Sequence, residues 1–198
     1  MKVFLHCVLG HGCSGKVYLA SDSSGRMFAV KLYLSDSKIM ESYRGDRNVE
    51  EKKNQKEMAM EIRDIEAEKW KMFYPSFEKA IFPYELFGVP CLAMPYVAQI
   101  PTKRRTNLLS RIDKELKRFA DKGLAYRSSD LRWRHIGLRM DKEGKEQIIL
   151  VDLESIREVE QGDEDSIKNA HAAITPAIAD LKKRADEPIG TPQGFIHA

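Results

Sequence analysis

The run Leu9-Gly10-His11-Gly12-Cys13-Ser14-Gly15-Lys16-Val17 sets three glycines in the pattern G-x-G-x-x-G-x-V. Phe28-Ala29-Val30-Lys31 ends on a lysine sixteen residues after Gly15. Glycine has no Cβ and takes positive φ readily, so Gly10, Gly12 and Gly15 allow backbone to close over a phosphate-bearing ligand. The residues just past the glycines decide between two folds. A dinucleotide-binding motif needs a helix directly after them. Here Val17-Tyr18-Leu19-Ala20 comes next, then a polar turn over Ser21 to Gly25, then a second apolar run through Lys31. That order predicts strand, glycine loop, strand, turn, strand: a sheet made of hairpins and not a Rossmann unit.

A length of 198 residues allows one domain, or one small domain with appendages. Apolar residues make up 42% of the chain and charged residues 32%, which describes a soluble globular protein. The net charge of +3 is too small to argue for nucleic acid. Lys103-Arg104-Arg105 and Lys182-Lys183-Arg184 are short and read as solvated surface. Cys7, Cys13 and Cys91 lack metal-ligand spacing. Their odd number predicts free thiols and a reducing, cytoplasmic or otherwise intracellular compartment. No apolar run approaches the roughly 20 residues of a membrane span, so no membrane partner is expected. Met1 to Leu9 is too short for a signal peptide and reads as the first strand.

Residues 36–47 are polar and read as a loop. Residues 48–73 read as a long helix with an apolar stripe of Ile62, Ile65, Trp70 and Phe73. Glu66 lies in that stripe, four residues from both Ile62 and Trp70, whereas Glu61 and Glu68 fall off it. An acidic group on a buried face needs a partner. Phe82 to Val89 and Pro90 to Val97 read as two strands joined by a tight turn. Residues 107–122 read as a helix with Leu108, Leu109, Ile112, Leu116 and Phe119 on one face and Gly123 as its stop.

Ser128-Ser129-Asp130-Leu131-Arg132-Trp133-Arg134-His135 comes next. After it, Leu138 to Met140 and Ile148 to Val151 form an expected hairpin around a turn at Asp141 to Lys145. Asp152-Leu153-Glu154 comes directly after the hairpin. The remainder reads as a helix over 165–174 presenting Ile167, His171 and Ile174. A second helix is expected beyond it, with Thr175 as N-cap and Pro176 in its first turn, and then a loose tail from Pro188.

These elements, in this order, resemble a protein kinase domain over residues 4 to about 157. The resemblance implies an α+β, bilobal fold: an antiparallel sheet with the family's C helix over 1–97, hinge included, and a reduced, mainly helical lobe over 98–198. The whole would be a single minimal kinase-like domain. Further implied are ATP as cofactor with Mg2+ or Mn2+, a protein substrate, and transfer of the γ-phosphoryl group to a Ser or Thr hydroxyl. Gly10, Gly12 and Gly15 would cover the phosphates, Val17 and Ala29 would pack on adenine, and Lys31 would hold the α- and β-phosphates, steadied by Glu66. Met94 would be the gatekeeper, with the Pro95 carbonyl and the Val97 N–H on the adenine edge. Asp130 falls on the catalytic base, Arg132 on the cation that contacts the γ-phosphate, and Asp152 on the metal-binding aspartate. Lys31→Ala and Asp130→Asn are each expected to abolish transfer with the fold intact.

The departures from the family pattern are equally specific. His135 stands where the family has an asparagine that binds a second Mg2+. Imidazole would weaken that site, favour Mn2+, or hydrogen-bond Asp130. Ser129 replaces the arginine that reads a phosphorylated activation loop, and Glu154 replaces the glycine after the metal-binding aspartate. Only 46 residues follow Asp152, so the peptide-docking part of the large lobe is expected to be mostly missing. The Asp130-to-Asp152 run is also similar to the kinase-like domains of Crinkler-type effectors, which would imply delivery to a host cell. The alternative activity is that of a pseudokinase, a nucleotide- or partner-binding module without transfer.

Overall fold

The structure, a computed structural model, describes residues 2–12, 14–33, 55–126, 131–141, 143–153, 156–158 and 164–188. The loop expected at 36–47, Asp130, Glu154 and the tail beyond Pro188 lie outside them. The chain divides into two compact units that change over between Tyr96 and Val97.

The first unit is a five-stranded antiparallel sheet and one long helix. Its strands are β1 (Val3–Gly12), β2 (Gly15–Asp22), β3 (Met27–Tyr33), β4 (Phe82–Leu86) and β5 (Val89–Pro95), in the order β1-β2-β3-β5-β4. The expected strand–glycine–strand–turn–strand series is present. The β2–β3 turn is tied by Asp22, whose Oδ1 accepts from the backbone N–H groups of Ser24 (2.9 Å) and Arg26 (3.1 Å). Those bonds, with the Ser24 hydroxyl foremost, hold the Asp22 carboxyl below its ordinary pKa. The β4–β5 turn puts Phe87 at φ 51 and Gly88 at φ 78, the pair of positive angles that suits the twist of a two-residue hairpin.

Strand alternation sorts the sheet into two faces. Phe28, Val30, Ala20, Cys91 and Ala93 form a buried apolar cluster on one. Across β2, β3 and β5 the register pairs Val17 with Lys31 and Lys31 with Leu92, and likewise Leu19 with Ala29 and Ala29 with Met94. These residues share the opposite face.

Helix α1 (Gln55–Phe73) packs on the sheet through β3, β4 and β5. Its buried side differs from the expected stripe. Ala59, Arg63, Glu66, Ala67, Trp70 and Phe73 are buried, whereas Ile65 is 44% exposed. Steps of three and four from Ala59 reach Arg63, Glu66, Trp70 and Phe73. Ile65, one position before Glu66, is turned about 100° away, so hydrophobicity alone misplaced the face.

Cys7 and Cys91 are free thiols, Cys91 fully buried. Burial pushes the Cys91 thiol up to about 11. The folded state therefore keeps a proton that the unfolded chain loses near pH 9. This stabilisation is complete below that value and falls away as pH rises towards 11. At pH 8 iodoacetamide is expected to leave Cys91 unmodified in native protein and to label it in urea, as peptide mass mapping would read. Equal labelling in both states would contradict this burial.

The second unit holds β6 (Ala98–Gln99), α2 (Arg105–Ala120), β7 (Leu124–Tyr126), β8 (Ile136–Met140), β9 (Glu146–Leu150), β10 (Ile156–Glu158), α3 (Glu164–Ala172) and α4 (Ile174–Lys183). Strands β6, β8 and β9 form one small sheet, and β7 pairs with β10. Leu108, Ile112, Leu116 and Phe119 of α2 are buried as expected, and Gly123 ends the helix region at φ 72. The β8–β9 hairpin turns where the sequence placed it, with Asp141 Oδ1 accepting from the N–H groups of Glu143 (2.9 Å) and Lys145 (2.8 Å).

Two expectations are corrected in this unit. The Lys103-Arg104-Arg105 cluster is only partly solvated surface. Arg104 forms a two-point pair with Glu146, at 2.9 and 2.7 Å, which holds Glu146 below its ordinary pKa. Arg105 is 1% exposed. Its Nη1 donates to the carbonyls of Ala185 (2.9 Å) and Glu187 (2.6 Å), and its guanidinium lies 5.3 Å from the Trp133 ring centroid. The last helix also starts earlier than expected. Ala173 is the N-cap, Ile174 is the first helical residue, and Thr175 and Pro176 lie inside the first turn. Proline is tolerated there because the first N–H groups of a helix have no intrahelical acceptor. Ile167 is 43% exposed and not core, while Ile174 is buried.

Candidate functional site

In the first unit the expected pair is present. Lys31 Nζ donates to Glu66 Oε2 at 2.8 Å, with both side chains almost fully buried. β3 supplies the lysine because alternation turns residues 29, 31 and 33 to one face, and α1 supplies the glutamate. The Tyr33 hydroxyl donates to the same oxygen at 2.7 Å, a partner the sequence reading missed. Its signal was available: Tyr33 follows Lys31 by two positions, which is one strand repeat. Glu66 Oε1 is buried and has no hydrogen-bond partner among the described residues.

The three glycines do not share one role. Gly10 and Gly12 end β1 without positive φ, and a Cβ on either would meet nothing within 4 Å. Gly15 has φ 156, and a Cβ there would stand 1.9 Å from the Leu32 carbonyl oxygen. Gly15 is thus demanded by the β2–β3 approach, whereas Gly10 and Gly12 leave open space beside the hairpin. Across the same sheet, Gly10 pairs with Val17 and Val17 with Lys31, while Ala29 pairs with Met94. Pro95 closes β5 opposite Phe28.

Val97 belongs to the second unit and packs where Gly137 lacks a side chain. A Cβ on Gly137 would lie 2.4 Å from Val97 Cγ1 and 2.7 Å from the Ala98 carbonyl oxygen, so Gly137 is what lets β6 lie against β8.

The β8–β9 hairpin also explains why residues seventeen apart meet. His135 immediately precedes β8, Asp152 stands two residues after β9, and the ladder pairs Ile136 with Leu150. One further bond, Val151 N–H to the His135 carbonyl at 2.8 Å, extends the pairing past the strands. The Tyr126 hydroxyl donates to the Val151 carbonyl at 2.5 Å. Asp152 then turns at φ 62, a conformation uncommon outside glycine but more accessible to Asp than to most residues. Its Oδ2 lies 3.6 Å from His135 Nε2. His135 is 7% exposed, whereas the Asp152 side chain is 29% exposed. Arg134 Nε sits 3.0 Å from the same His135 Nε2. An arginine N–H can only donate, so Nε2 is the acceptor in that contact.

Arg132 donates to Asp180 Oδ2 of α4 at 3.3 Å, and Trp133 Nε1 donates to the Leu181 carbonyl at 2.9 Å. The segment after Asp130 is therefore fastened to α4 by two neighbouring residues. His171 is partly exposed and is paired at 2.9 Å with the exposed Asp121 side chain, so it is a surface partner and not a packed core residue.

A mixed α/β molecule with a hairpin-built antiparallel sheet, a helix glutamate paired to a strand lysine, and an aspartate closing a downstream hairpin has a protein kinase-like bilobal fold. Among solved structures, the Rio2 kinase of Chaetomium thermophilum, in an ADP/Mg2+-phosphoaspartate complex, matches with a TM-score of 0.53 at 16% identity. The match covers 98% of this chain and 60% of the Rio2 chain. At family level, residues 8–139 match the family of unknown function DUF5898, and the chain belongs to that family. No curated protein matches it. No helix among the described residues is long and apolar enough to cross a membrane.

Proposed function

We propose that this protein is an ATP-dependent protein kinase that transfers the γ-phosphoryl group to Ser or Thr hydroxyls. The observation that carries the reading is the buried Lys31–Glu66 pair at 2.8 Å, in the company of Tyr33. Burying two charges is costly, and a core needs no such pair for stability alone. A cation fixed on the face that also bears Val17, Ala29 and Met94 is suited to the α- and β-phosphates of a nucleotide whose base packs on apolar residues. In the second unit, the partly exposed Asp152 offers oxygen ligands for a divalent cation, and His135 adds a nitrogen. The bound ion would neutralise phosphate charge. Asp130 would orient the hydroxyl and accept its proton. The Rio2 kinase's ADP/Mg2+ complex supports the choice of cofactor. The likeness to Crinkler-type effector kinases, and with it delivery to a host cell, belongs to this same proposal and rests on the Asp130-to-Asp152 run.

One observation favours the pseudokinase reading: Arg132, the residue proposed for the γ-phosphate, is engaged by Asp180. Intact mass decides between the two. Wild-type protein, or an added protein substrate, is expected to gain a phosphate-sized mass with ATP and Mg2+ or Mn2+, and Asp130→Asn is expected to gain none. Nucleotide binding without any mass gain under either metal would replace the kinase reading with the binding module. Equal gain in the variant would remove Asp130 from its role.

A further inference from the structure

We infer that Asp180 of α4 and Arg184 just beyond it are positioning residues for Arg132: Asp180 holds the Arg132 guanidinium when no γ-phosphate is present, and Arg184 takes over Asp180 when Arg132 turns to one. The inference deepens the proposed function and rests on it for the phosphate that Arg132 meets. All three side chains lie in the second unit.

The contact has the geometry of a loose hold. Arg132 Nη1 reaches Asp180 Oδ2 at 3.3 Å, one nitrogen to one oxygen. A guanidinium held firmly by a carboxylate makes two short parallel bonds, as Arg104 does with Glu146 at 2.9 and 2.7 Å. The Arg132 and Asp180 side chains are 30% and 32% exposed, so water screens their attraction and such a pair contributes little. The same Nη1 also donates to the Leu131 carbonyl at 3.2 Å, so neither contact commits the Nε–Nη2 edge of the fork.

The oxygen that holds Arg132 is shared. Arg184 follows Asp180 by four residues, and its Nε stands 3.0 Å from the same Oδ2, closer than Arg132 does. When Arg132 leaves, Asp180 keeps a cation beside it, so release strands no charge. A terminal phosphate offers more negative charge and more acceptor oxygens than one shared carboxylate oxygen, and arginine binds it in two-point fashion.

The backbone around Arg132 stays in place through this exchange. The Arg132 carbonyl accepts from the His135 N–H at 2.9 Å. Trp133 Nε1 donates to the Leu181 carbonyl at 2.9 Å, beside Asp180, and the Arg105 guanidinium lies 5.3 Å from the Trp133 ring centroid. Leu131 and Trp133, on either side of Arg132, are buried. Only the side-chain torsions of Arg132 are left to change, which needs no movement of the segment that follows Asp130.

Two neighbouring substitutions are expected to act in opposite directions. Asp180→Asn removes the charge that holds Arg132, whereas Arg184→Gln leaves Asp180 to Arg132. The first measurement needs no nucleotide: phenylglyoxal labelling of the full chain, with the rate at Arg132 read by peptide mass mapping. Labelling is expected to quicken in Asp180→Asn and to slow in Arg184→Gln, each by roughly two- to fivefold, the span of an exposed ion pair. The second is equilibrium binding of ATP and of ADP, because their affinity ratio isolates the γ-phosphate. The ATP-over-ADP ratio is expected to rise in Asp180→Asn and to fall in Arg184→Gln. Should Asp180→Asn not fold, Arg184→Gln alone keeps both measurements. Unchanged labelling in a folded variant, or a shift of both variants in the same direction, would overturn the inference. So would an unchanged ratio in variants that bind both nucleotides. Opposite labelling shifts in a protein that binds no ATP would leave the Asp180 hold standing and remove the nucleotide reading. A phosphate mass gain with unchanged labelling would do the reverse.

Discussion

Lys31→Met is expected to lower the unfolding free energy by about 3–5 kcal/mol, because removing one partner of a buried ion pair leaves the other charge without its counter-charge. Glu66 is 1% exposed, and in the variant the Tyr33 hydroxyl would be left as its partner among the described residues. The measurement is urea unfolding, read as a lower midpoint at constant slope. A triple variant, Lys31→Met with Glu66→Leu and Tyr33→Phe, replaces the whole polar cluster with apolar groups. It is expected to recover most of the loss, because apolar replacement of a buried ion pair is often neutral or better. Lys31→Met as stable as wild type would mean the pair is not buried in this way. The structure thus revises the expectation that truncating Lys31 leaves the fold untouched. A loss of transfer in that variant would mix lost chemistry with lost stability, and Asp130→Asn is the cleaner probe.

Gly15→Ala is expected to destabilise the first unit by about 3 kcal/mol or more, from overpacking and a disfavoured backbone angle together. The added methyl would stand 1.9 Å from the Leu32 carbonyl oxygen, and that oxygen is part of a strand and cannot step aside as a side chain can. Gly10→Ala and Gly12→Ala meet no atom within 4 Å and need no positive φ. Each is expected to change stability by less than about 1 kcal/mol. Under the proposed function these two would weaken nucleotide binding without unfolding the sheet. Thermal unfolding of all three variants, beside binding of a fluorescent ATP analogue, separates the roles. Equal melting temperatures for all three would show that Gly15 carries no structural demand.

The order of strands in the first unit was legible because alternation and glycine placement act locally. For the Lys31–Glu66 pair, the sequence pattern marked Glu66 as an acid in need of a partner, and it was the kinase resemblance that named Lys31 as that partner. The stripe itself was read less well. Ile65 is apolar but lies off the buried side, whereas Arg63 is charged but buried, donating to the Tyr84 carbonyl and to Asp64. Sequence hydrophobicity does not show that a guanidinium will find a carbonyl. Arg105 repeats the lesson over a longer distance. Its acceptors in the Ala185–Glu187 segment are eighty or more positions away in the chain, so three adjacent basic residues looked like surface. In the candidate site, the hairpin between His135 and Asp152 was legible from turn residues and alternation. The Arg134 contact was not, because neighbouring residues take their directions from a local turn that hydrophobic patterning does not encode.

The left-handed backbone at Asp152 bears on how that residue is best interrogated. Alanine there would remove the carboxylate and, at the same stroke, ask a side chain with no local hydrogen bonding to hold φ 62. An inactive alanine variant would leave charge and conformation inseparable. Asparagine tolerates the same angle, keeps the shape and one oxygen, and deletes only the negative charge. Glycine does the opposite: it accepts the angle freely and deletes the whole group. Side by side, the asparagine and glycine replacements divide the question at Asp152 into what its charge does and what its oxygens do, with the chain path common to both.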